Sequence, residues 1–279
     1  MIDLHVHSTF SDGSLTPEQL VDEAERIGLS ALALTDHDSL GGIPRFLRAA
    51  AGRSVRAVPG VEISADFNPG TMHMLGYFVG HEDDGLERKL RRIREGREER
   101  NREILRRLNG LGFAITWEEV KSFAQEDVVG RPHFAQALIA RGYVGGKDEA
   151  FDRYLGKGKP AYADRWRLNP EESVRMIRES GGVPVLAHPF TLQRKREELW
   201  ALVSSLREKG LEGVEVYYPE HTSELQSQYL ALARSFGLVA TGGSDFHGAL
   251  APDIRMGTGF GSLRVPPEAV EQLDARRPR

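Results

Sequence analysis

An α/β fold on a parallel sheet or barrel, interrupted by a small helical insert, is what the sequence predicts. Three observations carry the prediction. Apolar runs of strand length alternate with amphipathic helix patterns in the first and last parts of the 279-residue chain, the pattern of strand–helix–strand units. Those runs repeatedly end in a histidine or a carboxylate. Over residues 112–165 the alternation stops and only helix patterns remain. The chain thus divides into a first barrel part (1–111), an insert expected to cap it (112–165) and a second barrel part (166–279).

The first run, residues 2–8, places His5 and His7 on one strand face and Leu4 and Val6 on the other. Thr16-Pro17-Glu18-Gln19 then caps a helix whose apolar face is Leu20, Val21, Ala24 and Ile27, and Gly28 stops it. Residues 31–35 form a buried-type strand ending in Asp36-His37-Asp38. A helix over 43–51 leads to a strand over 55–63, in which Glu62 is an odd guest among apolar neighbours. Residues 72–78 form another strand, with His73, Leu75 and Tyr77 on one face. A long helix over 85–109 follows, and residues 86–107 carry ten Lys/Arg against five Asp/Glu. A solvated face with i,i+4 pairs such as Glu87 with Arg91 is one reading; a patch that attracts phosphate-bearing ligands is the other.

Inside the insert, Thr116-Trp117-Glu118-Glu119 is a capping box, Arg131-Pro132-His133 opens a helix through Ala140, and residues 147–155 make another. Gly156-Lys157-Gly158-Lys159-Pro160 closes it as a basic loop. Alternation resumes with a helix over 169–180 and a strand over 183–187 that ends in His188-Pro189. Helix 194–209, strand 214–218, helix 223–236 and strand 238–241 follow, the last running into Gly242-Gly243-Ser244-Asp245-Phe246-His247. A short helix over 267–273 ends the pattern.

With 40% hydrophobic and 28% charged residues the chain can bury a large core. The absence of cysteine excludes disulfides, thiolate zinc sites and cysteine nucleophiles, so any metal must be held by histidine and carboxylate. A net charge of -4 argues against a general nucleic-acid coat. No apolar run of about 18 residues and no leader pattern is present. The cytoplasm is the expected address, with no membrane association and no obligate protein partner expected.

Nine residues stand out beside the strands: His5, His7, Asp12, His37, Glu62, His73, His188, Asp245 and His247. In a parallel α/β barrel the carboxyl ends of the strands open on one face, where such groups converge. Six of the chain's nine histidines belong to this set. Six imidazoles and three carboxylates suffice for three divalent ions at three ligands each, with one carboxylate free to bridge. The formal ligand charge of about -3 against +6 then favours an anionic phosphoester as substrate, and oxygen and nitrogen ligands suit manganese, iron or zinc.

Taken together, His5-Val6-His7, Ser11-Asp12-Gly13, Thr35-Asp36-His37-Asp38, Gly60-Val61-Glu62-Ile63, His73, Ala187-His188-Pro189 and Gly243-Ser244-Asp245-Phe246-His247 resemble the polymerase and histidinol phosphatase (PHP) superfamily. The resemblance spans the chain. It is greatest to the branch that includes nucleoside 3',5'-bisphosphate phosphatases and a 5'-to-3' trimming ribonuclease, whose helical insert with Arg131-Pro132-His133 is part of the likeness. It implies a distorted (β/α)7 barrel with a trinuclear metal centre, manganese first among the candidate ions. By the same resemblance His5, His7, Glu62 and Asp245 hold one ion, Glu62, His73 and His188 a second, and Asp12, His37 and His247 a third. Asp12 stands where some members have histidine.

Two ions sharing Glu62 would generate a nucleophilic hydroxide and cradle the phosphoryl oxygens, with Glu62, Asp245 and His247 the residues expected at the reaction. The expected substrate is a small phosphorylated nucleotide, such as adenosine 3',5'-bisphosphate, or short 5'-phosphorylated RNA. Arg131, His133 and Lys159 are expected to bind its other phosphate, the insert being rooted after the strand that bears His73; pairing of Arg131 with Glu126 or Asp127 is the alternative. His133 and His221 are spare acid candidates for which a structural role is the default, as packing or orienting a ligand is for Glu215 and Tyr217, and solvation for His81. An amidohydrolase, or a non-catalytic PHP module docking to a polymerase, are the alternative functions.

Overall fold

The computed structural model describes residues 1–80, 84–124 and 129–278, so His81, Glu126 and Asp127 lie outside the described residues. Seven strands pair in sequence order: β1 (Ile2–Val6), β2 (Ala31–Leu34), β3 (Arg56–Ala65), β4 (Met72–Tyr77), β5 (Val183–Leu186), β6 (Gly213–Tyr217) and β7 (Val239–Gly242). Beyond the ends of β1 and β7 the His7 amide donates to the Phe246 carbonyl at 3.0 Å, and Val6 bridges Phe246. The sheet therefore nearly closes on itself as a distorted barrel.

Every neighbouring pair is parallel except those of β4, which runs antiparallel to β3 and β5. Strand–helix alternation predicts a parallel partner there, but only residues 66–71 separate β3 from β4, too few for a crossover. The reversal has a functional consequence. His73, second residue of β4, pairs with Ser64 near the end of β3, so it arrives at the rim where the parallel strands finish. Tyr77, at the other end of β4, pairs with Gly60 and Val183 toward the opposite rim. The chain therefore leaves β4 at the rim opposite His73, and it returns at Leu168, which bridges Ala65 at the end of β3.

The chain forms two compact units, Met1–Leu90 with Leu168–Arg279, and Arg91–Arg167; the segment 112–165 lies in the second. In the first, helices α1 (Pro17–Arg26), α2 (Ile43–Ala50), α7 (Pro170–Glu179), α8 (Arg196–Glu208), α9 (Ser223–Phe236) and α10 (Glu268–Asp274) accompany the strands, the numbering leaving room for α3 (Asp84–Gly110) and the short helices α4 (Trp117–Phe123), α5 (Arg131–Ala140) and α6 (Lys147–Ala150). Thr16 with Gln19 and Asn169 with Glu172 form reciprocal caps at α1 and α7, satisfying amides that the first turn leaves unpaired. Residues spaced by two, including Ile2 and Leu4, Ala31 and Ala33, Leu75 and Tyr77, Val183 and Val185, meet in one buried cluster sealed by Leu263, Val265 and Val270. The second unit has its own core around Ile104, Leu108, Phe134, Leu138 and Leu155. Among the described residues no helix is long and apolar enough to cross a membrane.

Closure of the sheet depends on Gly243, directly after β7. A Cβ there would overlap the backbone nitrogen and the Cβ of His5 on β1, and neither can move without displacing the strand. Gly243→Ala is expected to cost at least about 2 kcal/mol of unfolding free energy, read by urea titration without added metal. Wild-type stability in that variant would show that the two strands are not packed this closely.

Candidate metal centre

Glu62, 1% exposed near the end of β3, lies among five imidazoles. Its Oε2 is 3.3 Å from His5 Nε2, 3.4 Å from His7 Nε2 and 3.1 Å from His37 Nδ1; its Oε1 is 2.8 Å from His73 Nδ1 and 3.0 Å from His188 Nε2. One carboxylate thus turns its two oxygens to two different histidine sets. Asp245 Oδ1 lies 3.3 Å from His5 Nε2 and 3.1 Å from His7 Nε2. Asp12 faces His247 Nε2 at 3.3 Å and both His7 and His37 at 3.6 Å.

Among the described residues three groups of donor atoms are close enough together to hold an ion: His5, His7, Glu62 and Asp245; His37, Glu62 and His73; His7, Asp12, His37 and His247. The first has the membership that the family resemblance implies. In the second His37 stands beside Glu62 and His73, while His188 meets the same oxygen as His73 from outside the group. In the third His7 joins the expected three. Asp12, His37, His73 and His247 are partly exposed, whereas His5, His7 and Glu62 are buried.

The hydrogen bonding behind the imidazoles tests whether these donors suit a cation. His5 Nδ1 is 3.0 Å from Glu215 Oε1, and His247 Nδ1 is 2.7 Å from the Asp245 carbonyl. Oxygens of those kinds only accept, so each Nδ1 carries the proton and each Nε2 is left with a lone pair. Ser11 Oγ donates to Asp36 and so can accept from His7 Nδ1 at 3.4 Å. His5 Nε2, His7 Nε2, His37 Nδ1 and Asp12 Oδ1 are buried without a hydrogen-bond partner. Lone pairs aimed at carboxylate oxygens repel unless a proton or a metal ion stands between them, and this all-nitrogen-and-oxygen set fits a divalent ion.

Electrostatics say the same. Burial by itself would raise the Glu62 and Asp245 carboxyls, but His37, His73 and His5 around Glu62, and His5, His7 and His247 around Asp245, hold both well below the usual range. Burial would lower His7, yet the carboxylates of Asp245 and Glu62, 3.1 and 3.4 Å from its Nε2, and the charge of Asp12 push it up to about 10. For His37 burial wins, and it falls to about 4 despite Glu62 and Asp12.

A layer of buried acids that were not singled out as ligands holds these groups. Asp3 accepts from the amides of His5, Ser244 and Gly257; Asp36 from the amide and hydroxyl of Ser8; Asp38 from the amide and hydroxyl of Ser64; Glu215 from the His188 amide as well as from His5. Their signal in the sequence is position: Asp36 and Asp38 flank His37, and Asp3 precedes His5 by two. Asp38 and Asp245 adopt left-handed φ of 51° and 54°, which non-glycine residues take up mainly where their surroundings hold them.

Arg131, His133 and Lys159 belong to the second unit. The Gly130 amide donates to His133 Nδ1 at 3.0 Å, capping α5, while Lys159 is exposed. His221 is buried and donates from Nδ1 to the Val216 carbonyl at 2.8 Å, and Tyr217 packs against the barrel core.

Because His7 is held protonated by the carboxylates, an ion must displace its proton. A raised histidine pKa means that this competition weakens as pH rises. Manganese affinity is expected to climb by about tenfold or more between about pH 6 and 8, with at least about one proton released per chain. Calorimetry in buffers of different ionisation enthalpy reads the proton count; an enthalpy independent of buffer would contradict it.

A family model described as PHP domain matches residues 3–240. The chain is 35% identical over 247 residues to a 3',5'-nucleoside bisphosphate phosphatase of Chromobacterium violaceum, covering 88% of this chain and 87% of that one. It is 34% identical over 247 residues to the 5'-3' exoribonuclease Rnm of Salmonella typhimurium, covering 88% and 84%. A candidate metal-dependent phosphoesterase from Bifidobacterium adolescentis superposes with a TM-score of 0.80 at 28% identity, covering 100% and 96% of the two chains. With the histidine and carboxylate groups gathered at one rim of the barrel, these likenesses lead to one conclusion: the chain belongs to the PHP domain family.

Proposed function

We propose that this protein is a metal-dependent phosphoesterase that removes the 3'-phosphate of nucleoside 3',5'-bisphosphates and trims short 5'-phosphorylated RNA. The observation that carries the reading is Glu62, whose two oxygens face separate histidine sets about 3 Å away. That is the arrangement a two-metal phosphoester site requires, one carboxylate joining two ions. His5, His7, Glu62 and Asp245 would hold one ion, with Glu62, His73, His37 and His188 around a second and Asp12, His37 and His247 around a third; manganese is the first candidate. Such ions supply Lewis-acid activation of water and neutralise charge on phosphoryl oxygens. The chain's own groups orient and exclude. Glu215 fixes the tautomer of His5, the buried face keeps bulk water from Glu62, and the partly exposed Asp12 and His247 leave substrate and water an approach. The relatives act, by their names, on a nucleoside bisphosphate and on RNA, which is the substrate class adopted here.

The second phosphate is assigned to the insert. Much of the charge on α3 is solvated as expected, with Glu98 paired to Arg102 and Glu103 to Arg106 and Arg107. Arg100 is different: it is 7% exposed, and its Nε has no hydrogen-bond partner. Burial, with Arg131, Arg97 and Arg167 nearby, pushes it down to about 9. Arg131 lies over the Tyr162 ring at 5.2 Å, with Asp164 the acid that acts on it. Guanidiniums that act on one another in this way, with Arg100 buried among them, favour an anion of phosphate type. Arg100 was hidden in the sequence by the charge run in which it sits.

Product release with manganese decides the reading. Adenosine 3',5'-bisphosphate is expected to yield phosphate, and 5'-phosphorylated RNA to shorten, with both activities falling at least about 100-fold in Glu62→Gln; no product from either substrate would refute it. For Arg131→Ala, the preference for adenosine 3',5'-bisphosphate over adenosine 3'-monophosphate in kcat/KM is expected to shrink by about tenfold, the scale of one charge-assisted contact. A preserved ratio would remove Arg131 from substrate recognition.

A further inference from the structure

Tyr218 follows β6 and is 6% exposed, and neither its neighbours in sequence nor the ligand pattern marks it. Its hydroxyl donates to Asp245 Oδ2 at 2.8 Å, while the other oxygen of Asp245 faces His5 and His7. The ring of Tyr218 is clamped by His188 at 5.4 Å, Phe190 at 5.7 Å and His221 at 5.1 Å between centroids. His221 is itself fixed, by its bond to the Val216 carbonyl and by the Tyr229 ring at 4.9 Å. Asp245 needs such a hold, since its left-handed backbone does not by itself select one carboxylate orientation.

We propose that Tyr218 is a positioning residue that reserves one oxygen of Asp245, so that this carboxylate gives a single oxygen to the ion at His5, His7 and Glu62. A carboxylate free at both oxygens can chelate, and a chelating Asp245 would occupy a coordination position that water or a phosphoryl oxygen must use. The clamp also ties two ligand-bearing turns together, because one face of the Tyr218 ring meets His188, after β5, while its hydroxyl holds Asp245, after β7. His221, buried with no partner on Nε2, thereby has a task as the rear wall of the clamp. The inference rests on the reading of that group as a metal site.

The test is Tyr218→Phe, which deletes the hydroxyl and keeps the ring. Near-ultraviolet circular dichroism and thermal melting without metal should match the unmutated protein. The cobalt-loaded proteins should differ: visible absorption of Co(II) weakens as coordination number rises, so the variant is expected to absorb less per bound ion. At saturating manganese kcat should fall by about tenfold or more, the range for loss of a group that orients a ligand, with KM changed by less than about twofold. Equal cobalt spectra and equal kcat would overturn the proposal, as would a loss confined to metal affinity. If the unmutated protein binds no cobalt, the metal reading itself falls and this inference with it; if it binds cobalt and the variant is identical, only the role of Tyr218 falls.

Discussion

A carboxylate buried among five imidazoles is the constraint to which the rest of this structure answers. Isolated in an apolar interior, Glu62 would be too costly to ionise. Surrounded by His5, His7, His37, His73 and His188 it is held ionised, and the carboxylates around His5 and His7 raise both imidazoles above their ordinary value. A proton or a divalent ion between the carboxylate oxygens and the ring nitrogens would satisfy both. Such an arrangement is unsatisfactory for either partner alone, and this is why so much of the barrel rim is devoted to holding it.

The holding is done by a second ring of buried carboxylates. Asp3, Asp36, Asp38 and Glu215 each accept hydrogen bonds from amides or hydroxyls beside a ligand. Each joins segments far apart in sequence: Asp3 to Ser244 and Gly257, Asp36 to Ser8 and Ser11, Asp38 to Ser64, Glu215 to His5 and His188. The rim therefore behaves as a cross-linked belt, in which moving one ligand disturbs the polar network of the next strand. Buried acids of this kind stabilise only while every acceptor is satisfied; here most of their bonds come from backbone amides and serine hydroxyls, which do not change charge with pH.

Charge is distributed differently in the second unit. Its core is apolar, and the long α3 carries solvated pairs such as Glu98 with Arg102 and Glu103 with Arg106. Arg100 departs from that rule by turning inward beside Arg131. A protein gains no stability from gathering like charges in a buried place, so the cluster has the mark of a binding feature rather than a structural one.

What the sequence determined by itself was everything carried by local periodicity and local chemistry. Strand and helix positions follow from alternation and from caps such as Thr16 with Gln19 and Asn169 with Glu172, and the candidate ligands were legible because a histidine at the end of an apolar run has no local reason to be there. Tertiary structure alone decided matters that depend on long-range pairing. The reversal of β4 comes from a short connection whose effect is felt only when β5 also pairs with it, and it moved His73 to the ligand rim. Grouping is likewise non-local: His7 and His37 each serve two sets of neighbours because their strands are adjacent, and Tyr218 meets Asp245 across 27 positions of sequence. A ring hydroxyl and a carboxylate that far apart carry no mark of each other in the chain; the closure of the sheet brings them together.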